Sequence, residues 1–251
     1  MKKFLMILLI SVVVPFFVAA GAMAIPFGDG GASLQGVLDT ITVTPHGDSS
    51  IDVTTDYIPD AYDSYWMLTG TGISAATMII ELAGYADSNS MGVYSDGVYV
   101  ELFSGSQGAG DQAVLSIKSD GSVYVNLVDT GVDFAGNSFG YYLDSPDGIF
   151  HSDTSLNADQ LDHMAAYQGL NTDWIQLPGL APGLWTDNEF VLAFEDLYGG
   201  GDMDFDDFVV MVESVSNPVP EPATMILLGS GLIGMAVVGR KKFLLKARSK
   251  S

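Results

Sequence analysis

Six carboxylates, Glu195, Asp196, Asp202, Asp204, Asp206 and Asp207, fall in one stretch with three consecutive glycines, EFVLAFEDLYGGGDMDFDDFVVMVE, Glu189 to Glu213. Like charges a few ångströms apart repel and raise one another's pKa, so such crowding is unfavourable unless a cation fills it. Calcium suits that role: it takes six to eight oxygen ligands at about 2.3–2.6 Å and tolerates irregular geometry, whereas magnesium demands a tighter octahedron. The six residues are the candidate ligand set for Ca2+, about four of them coordinating directly. Asp202, Asp204 and Asp206 have the D-x-D-x-D spacing that opens an EF-hand loop, and Glu213 falls at its twelfth position. The likeness stops there, because Asp207 stands where that loop needs glycine and FVVMV reads as a buried strand. A solvated acidic hairpin without an ion is the alternative.

The elements that position these charges read as strands. FVLAFEDL precedes the glycines and DFVVMVE follows the aspartates, so the acidic residues are displayed at a strand-to-strand turn. If residues 202–206 were fully extended, alternate side chains would stand about 6.6 Å apart, too far for one ion to hold all three. The glycines must therefore bend the chain, or Glu195 and Asp196 must reach in from the preceding strand. Elsewhere VLDTITVTP, TMIIELAGY, GVYVELFSG, QAVLSIKSD, SVYVNLVDT and SFGYYLD each read as a strand, with Asp-Gly turns in SDGV and SDGS. AVLSIKSDGSVYVNLV is the clearest hairpin. NADQLDHMAAYQ is read as a strand over HMAAYQG in preference to a helix capped by Asn157. The fold class is all-β, a β-sandwich or jelly roll forming one domain over residues 25–217.

The two ends are addresses. Lys2 and Lys3, the apolar run FLMILLISVVVPFFVAA and the small-residue site Ala22-Met23-Ala24 make residues 1–24 a secretory signal peptide; an uncleaved anchor is the alternative. Residues 218–251 hold a proline-rich break, an apolar run from Ala223 to Gly239 that is just long enough to cross a bilayer, and six basic residues. Between the ends Lys118 is the only basic residue against 30 acidic ones, a net charge near −29. Such a field repels nucleic acid and anionic membrane surfaces. With no cysteine, an exported chain has no disulfides, and its stability must come from a core or bound metal.

Pro220-Glu221-Pro222, the apolar helix and the basic tail resemble the PEP-CTERM sorting signal. The resemblance implies recognition by an exosortase, transient anchoring in the inner membrane of a Gram-negative bacterium, and export to the cell surface or exopolysaccharide matrix. A permanent single-pass anchor is the alternative. FEDLYGGGDMDFDD, supported by ELAGYADSNSMGVYSDG and HSDTSLNADQLDHMAAYQG, resembles the signature F-E-D-x-x-G-G-G-D-x-D-[FY]-N/D-D of an uncharacterised exported bacterial domain, over most of residues 81–213. That resemblance implies surface placement and metal binding but no reaction.

Other chemistry finds less support. His46, His151 and His163 have no zinc-ligand spacing, and no nucleophile elbow or phosphate loop is present. Asp153, Asn157, Asp162 and His163 form either a polar cluster near the acidic turn or ordinary turns and caps. Carboxylate pairs admit a glycoside hydrolase, and Trp66, Trp174, Trp185 and the tyrosines admit a carbohydrate-binding module. The expected function is a non-enzymatic, calcium-stabilised structural or adhesive protein, with extracellular polysaccharide or other surface polymers as partners.

Overall fold

A computed structural model describes residues 34–70, 72–81 and 88–217. The signal-peptide reading and the sorting-tail reading, including Pro220, Glu221 and Pro222, lie outside the described residues. Strands are numbered along the chain. The larger sheet has seven antiparallel strands in the order β11 (Met164–Gln168), β14 (Glu189–Phe194), β15 (Phe208–Glu213), β3 (Ile73–Glu81), β6 (Gln112–Ile117), β7 (Ser122–Val125), β8 (Val128–Asp133). The second runs β16 (Val215–Ser216), β2 (Trp66–Leu68), β9 (Ser138–Ser145), β4 (Ser90–Ser95), β5 (Val98–Phe103), with β10 (Gly148–His151) also paired to β9. A small third sheet joins β1 (Thr42–Thr44), β12 (Trp174–Ile175) and β13 (Gly183–Leu184). The all-β class and the hairpin of residues 112–125 are as the alternation of the sequence requires: Ala113, Leu115 and Ile117 are buried while Gln112 is exposed.

Two clusters share the larger sheet. Met78, Val93, Phe103, Leu115, Phe139, Leu143, Leu192 and Val210 pack between the two large sheets, as in a sandwich. On the opposite face Val191, Ala193, Val209 and Met211 pack against helix α1 (Leu34–Ile41), Ile51, Tyr167 and Trp185. Strands β14 and β15 are thus covered on both faces, which explains their unbroken apolar runs FVLAF and FVVMV. They pair antiparallel from Glu189↔Glu213 to Phe194↔Phe208, so residues 195–207 form one connecting loop fixed at a rigid base.

Two elements differ from the sequence reading. VLDTITVTP is not one strand: residues to Ile41 complete α1, and only Thr42–Thr44 are extended. Its β-branched residues favour strand, but Leu34, Val37, Leu38 and Ile41 fall at i, i+3, i+4 and i+7 and bury one helical stripe. Likewise SVYVNLVDT is split by a tight turn, with Asn126 and Leu127 at φ 51° and 67°. HMAAYQG is a strand, as read.

Candidate metal centre

The glycine loop does not run extended. Gly199, Gly200 and Gly201 have φ of 85°, 84° and 52°, and the left-handed conformation recurs at Met203 (59°) and Phe205 (54°). That alternation corrugates the chain and shortens the distance between successive aspartates. Phe205 is 1% exposed and belongs to the core beside α1, with Met203 packed against the same cluster. The hydrophobic side of the loop is thereby pinned, leaving the intervening aspartates to the other side.

Glu195 is the centre of the arrangement. It is fully buried, and its Oε1 accepts a 2.7 Å hydrogen bond from the Phe205 amide. Its Oε2 has no hydrogen-bond partner and lies where a Cβ on Gly201 would stand only 2.5 Å away. Gly201 is therefore needed twice, for its positive φ and for the carboxylate's approach. Ligand oxygens of Glu195, Asp202 and Asp204 all lie within 4.8 Å of one another. Asp202 is exposed, while Asp204 and Asp206 are buried, and Asp204 Oδ1 and Asp206 Oδ2 are also without a partner. Three buried carboxylate oxygens thus face no protein donor, an arrangement that costs several kcal/mol unless protons or a cation supply the missing charge.

Burial is the first cause of the electrostatics. It pushes Glu195 up to about 8, with the charges of Asp207, Asp204 and Asp202 adding to the rise. Asp206 is raised to about 7 by burial and by Asp204 beside it, and Asp207 to about 7 by burial and Asp196. Asp204 is raised as well, by burial and by Asp202. The one lysine among the described residues sits over the Tyr124 ring, 3.6 Å from its centroid, and neutralises none of them by contact.

Asp196 and Asp207, although adjacent in sequence to the cluster, act as a latch at its base. The Asp196 amide donates to Asp207 Oδ2 at 3.0 Å, and Asp196 Oδ2 accepts from Asn89 Nδ2 at 2.9 Å. Ser145 Oγ donates to the Asp196 carbonyl at 2.7 Å. On the other flank Asp159 Oδ2 accepts from the Gly199 amide at 2.8 Å and meets His163 Nε2 at 2.9 Å, while His163 Nδ1 faces the Glu195 carbonyl at 3.3 Å. Asp147 Oδ2 takes the Tyr198 amide at 2.7 Å. Of the polar cluster expected near the acidic turn, His163 reaches it. Asp153 instead caps a short 3-10 turn, and Asn157 bonds the His151 backbone. Asn89, Ser145, Asp147 and Asp159 were missed, since they come from distant segments; the signal for Asp159 was its i, i+4 spacing to His163.

Comparison with known families agrees with both resemblances. The chain carries a PEP-CTERM protein-sorting motif at residues 218–242, the signal recognised by exosortase on exported proteins processed at the membrane. It also carries, at residues 109–215, a domain described as a domain of unknown function, DUF4114, which includes the whole acidic loop. No curated protein and no solved structure matches the chain. Glu195, Asp202 and Asp204 form a group able to hold a metal ion. Among the described residues no helix is long and apolar enough to cross a membrane.

Proposed function

We propose that the chain is a calcium-stabilised, non-enzymatic component of the cell surface or extracellular matrix, delivered there by its sorting motif. The observation that carries the reading is the set of three buried, donor-less oxygens on Glu195, Asp204 and Asp206 beside the exposed carboxylate of Asp202. Oxygens of Glu195, Asp202 and Asp204 within 4.8 Å of one another are close enough to share one cation, and calcium's irregular six- to eight-fold sphere accommodates a loop pinned by Phe205 more readily than magnesium's strict octahedron. All-oxygen ligation by carboxylates also favours calcium over the softer transition metals. Glu195, Asp202 and Asp204 hold the ion directly in this reading, Asp206 completes the shell, and Asp196 and Asp207 keep the base of the loop closed. Calcium at extracellular concentration then makes the fold conditional on export, since affinities of extracellular modules lie near 10⁻⁴ to 10⁻³ M, roughly two to three orders weaker than those of cytosolic sensors.

Isothermal titration of the purified protein with calcium at pH 7, in two buffers of different ionisation enthalpy, tests this. Saturable binding with proton release is expected, because burial and neighbouring charge raise Glu195 to about 8 and Asp206 and Asp207 to about 7, so that protons are shared among them at pH 7 in the absence of the ion. A flat trace up to 10 mM calcium, about 100-fold above the tight end of that affinity range, contradicts it.

A further inference from the structure

We propose that a tyrosine-lined cleft on the outer face of the smaller large sheet binds a neutral pyranose sugar, such as a residue of an uncharged extracellular glycan. It gives the proposed matrix role a ligand, but it stands on other residues than the ion site. Asn89, which touches Asp196, and Asp96, which lines the cleft, flank opposite ends of β4, about 23 Å apart at strand rise.

The solvent face of an antiparallel sheet is ordinarily polar. Here Tyr94, Tyr99 and Tyr142 occupy it, with Gly92 opposite Tyr142 and Gly140 opposite Tyr94. The glycines let the rings lie across the sheet: a Cβ on Gly140 would fall on the Tyr94 ring, and one on Gly92 would stand 2.8 Å from Tyr142 Cε1. Tyr99 stacks on Tyr94 with centroids 5.9 Å apart and planes at 29°, and Tyr65 and His151 lean on Tyr94 at 6.2 and 4.9 Å. Tyr65, Tyr94, Asp96, Tyr99, His151 and Leu156 line a cleft of about 380 Å³, within the usual range for small-molecule sites.

The polar groups decide the ligand class. Tyr99 Oη meets His151 Nε2 at 2.8 Å, and Tyr65 Oη donates to Asp153 Oδ2 at 2.9 Å, so these rings are held in place. His151 Nδ1 is buried and the ring approaches Asn157, outside the cleft lining, while the Tyr94 hydroxyl approaches Tyr65, Ser152 and the Asp153 backbone; neither atom closes a hydrogen bond. Asp96 is presented by the left-handed Asp96-Gly97 turn, φ 49° and 78°. A floor of aromatic surface, with Tyr99 41% and Tyr65 37% exposed, matches the CH face of a pyranose, while the Asp96 carboxylate and the tyrosine hydroxyls match its dispersed hydroxyls. An anionic ligand finds no cation here and one carboxylate against it. A quaternary ammonium is held by rings that surround a point; Tyr94 and Tyr99 stack at 29° while Tyr65 and His151 stand across Tyr94 at 59° and 84°, and binding of choline against that of a neutral polymer separates the two ligand classes.

Affinity electrophoresis of the purified protein through gels holding dextran, laminarin, galactomannan or xylan tests the site, with polygalacturonate and choline as separate arms. The expected result is retardation by at least one neutral polymer, in calcium and in EDTA alike below the melting temperature. Asp96→Asn, which tolerates the left-handed turn, and Tyr99→Ala should each weaken retardation at least tenfold while Asp96→Asn keeps the melting temperature. Because the EDTA arm needs no bound ion, failure of the calcium reading leaves this result legible. Absence of retardation by all four neutral polymers overturns the proposal. So does retardation unchanged by both substitutions, binding confined to polygalacturonate in calcium, or binding of choline alone.

Discussion

The protein places aspartates in two kinds of loop, and the contrast shows what distinguishes an ion site from ordinary turn chemistry. At Asp52, Asp120 and Asp153 the carboxylate accepts both the amide and the hydroxyl of a Ser or Thr two residues on: Thr54, Ser122 and Ser155. Asp52 and Asp120 are exposed and Asp153 half-buried, all three are satisfied locally, and the bonds hold Asp52 and Asp120 below the usual carboxylate range. In residues 202–206 the residue two positions on is another aspartate. Asp204 and Asp206 are then buried, each with one carboxylate oxygen that lacks a donor, and both are raised, while Asp202 stays exposed beside them. D-x-[ST] makes a self-contained turn; D-x-D-x-D over a glycine hinge makes a demand on something outside the chain.

Breaking the demanding side of the comparison has the largest expected effect. Glu195→Gln removes the central charge, so it should abolish the whole calcium-dependent gain in stability, about 2.7 kcal/mol at 100 times the dissociation constant. In EDTA at pH 9 the same variant should melt no lower than the parent, because it removes a buried uncompensated charge. Thermal melts of both proteins in both solutions check the reversal of sign.

The next effect is one of pH. Glu195, Asp206 and Asp207 have folded-state pKa values raised above their unfolded values, to about 8, 7 and 7. The ion-free fold binds those protons more tightly than the unfolded chain, so their contribution is fully present below the ordinary carboxylate range and lost as pH rises through about 7 to 8. Melting temperature in EDTA should fall from pH 6 to pH 9. Saturating calcium should flatten or reverse the slope by replacing the protons.

The smallest effect belongs to the satisfied side. Asp120→Asn keeps an oxygen for the Ser122 amide and hydroxyl, so it should shift the melting temperature far less than Glu195→Gln and leave the calcium response intact. A calcium response altered by Asp120→Asn would erase the distinction between the two loop types.

The sequence made one half of this comparison readable. Crowded carboxylates beside Gly199–Gly201, between two apolar strands, located the loop, and the mismatch with an EF-hand was visible at Asp207. The division of labour within the six was not. Asp196 and Asp207 hydrogen-bond the loop's base, while Glu195, at the end of its strand, turns inward; that choice depends on Phe205 anchoring the loop and on Asn89 and Ser145 arriving from the other sheet. Contacts of such sequence separation leave no periodic mark. Helix α1 was hidden for a local reason, since its β-branched residues outvoted a single i, i+3, i+4, i+7 stripe. The sugar cleft was obscured because Trp66 and Trp185 are core residues and the exposed Trp174 lies elsewhere, on β12, whereas the cleft uses tyrosines laid across glycines on adjacent strands.

Thermal unfolding of the purified protein at pH 7.5 in 10 mM calcium and in EDTA tests the central claim most directly. A bound structural ion with a dissociation constant near 10⁻⁴ M predicts a melting temperature roughly 5–10 °C higher in calcium, with magnesium giving much less. Identical melting temperatures in calcium and EDTA would contradict it.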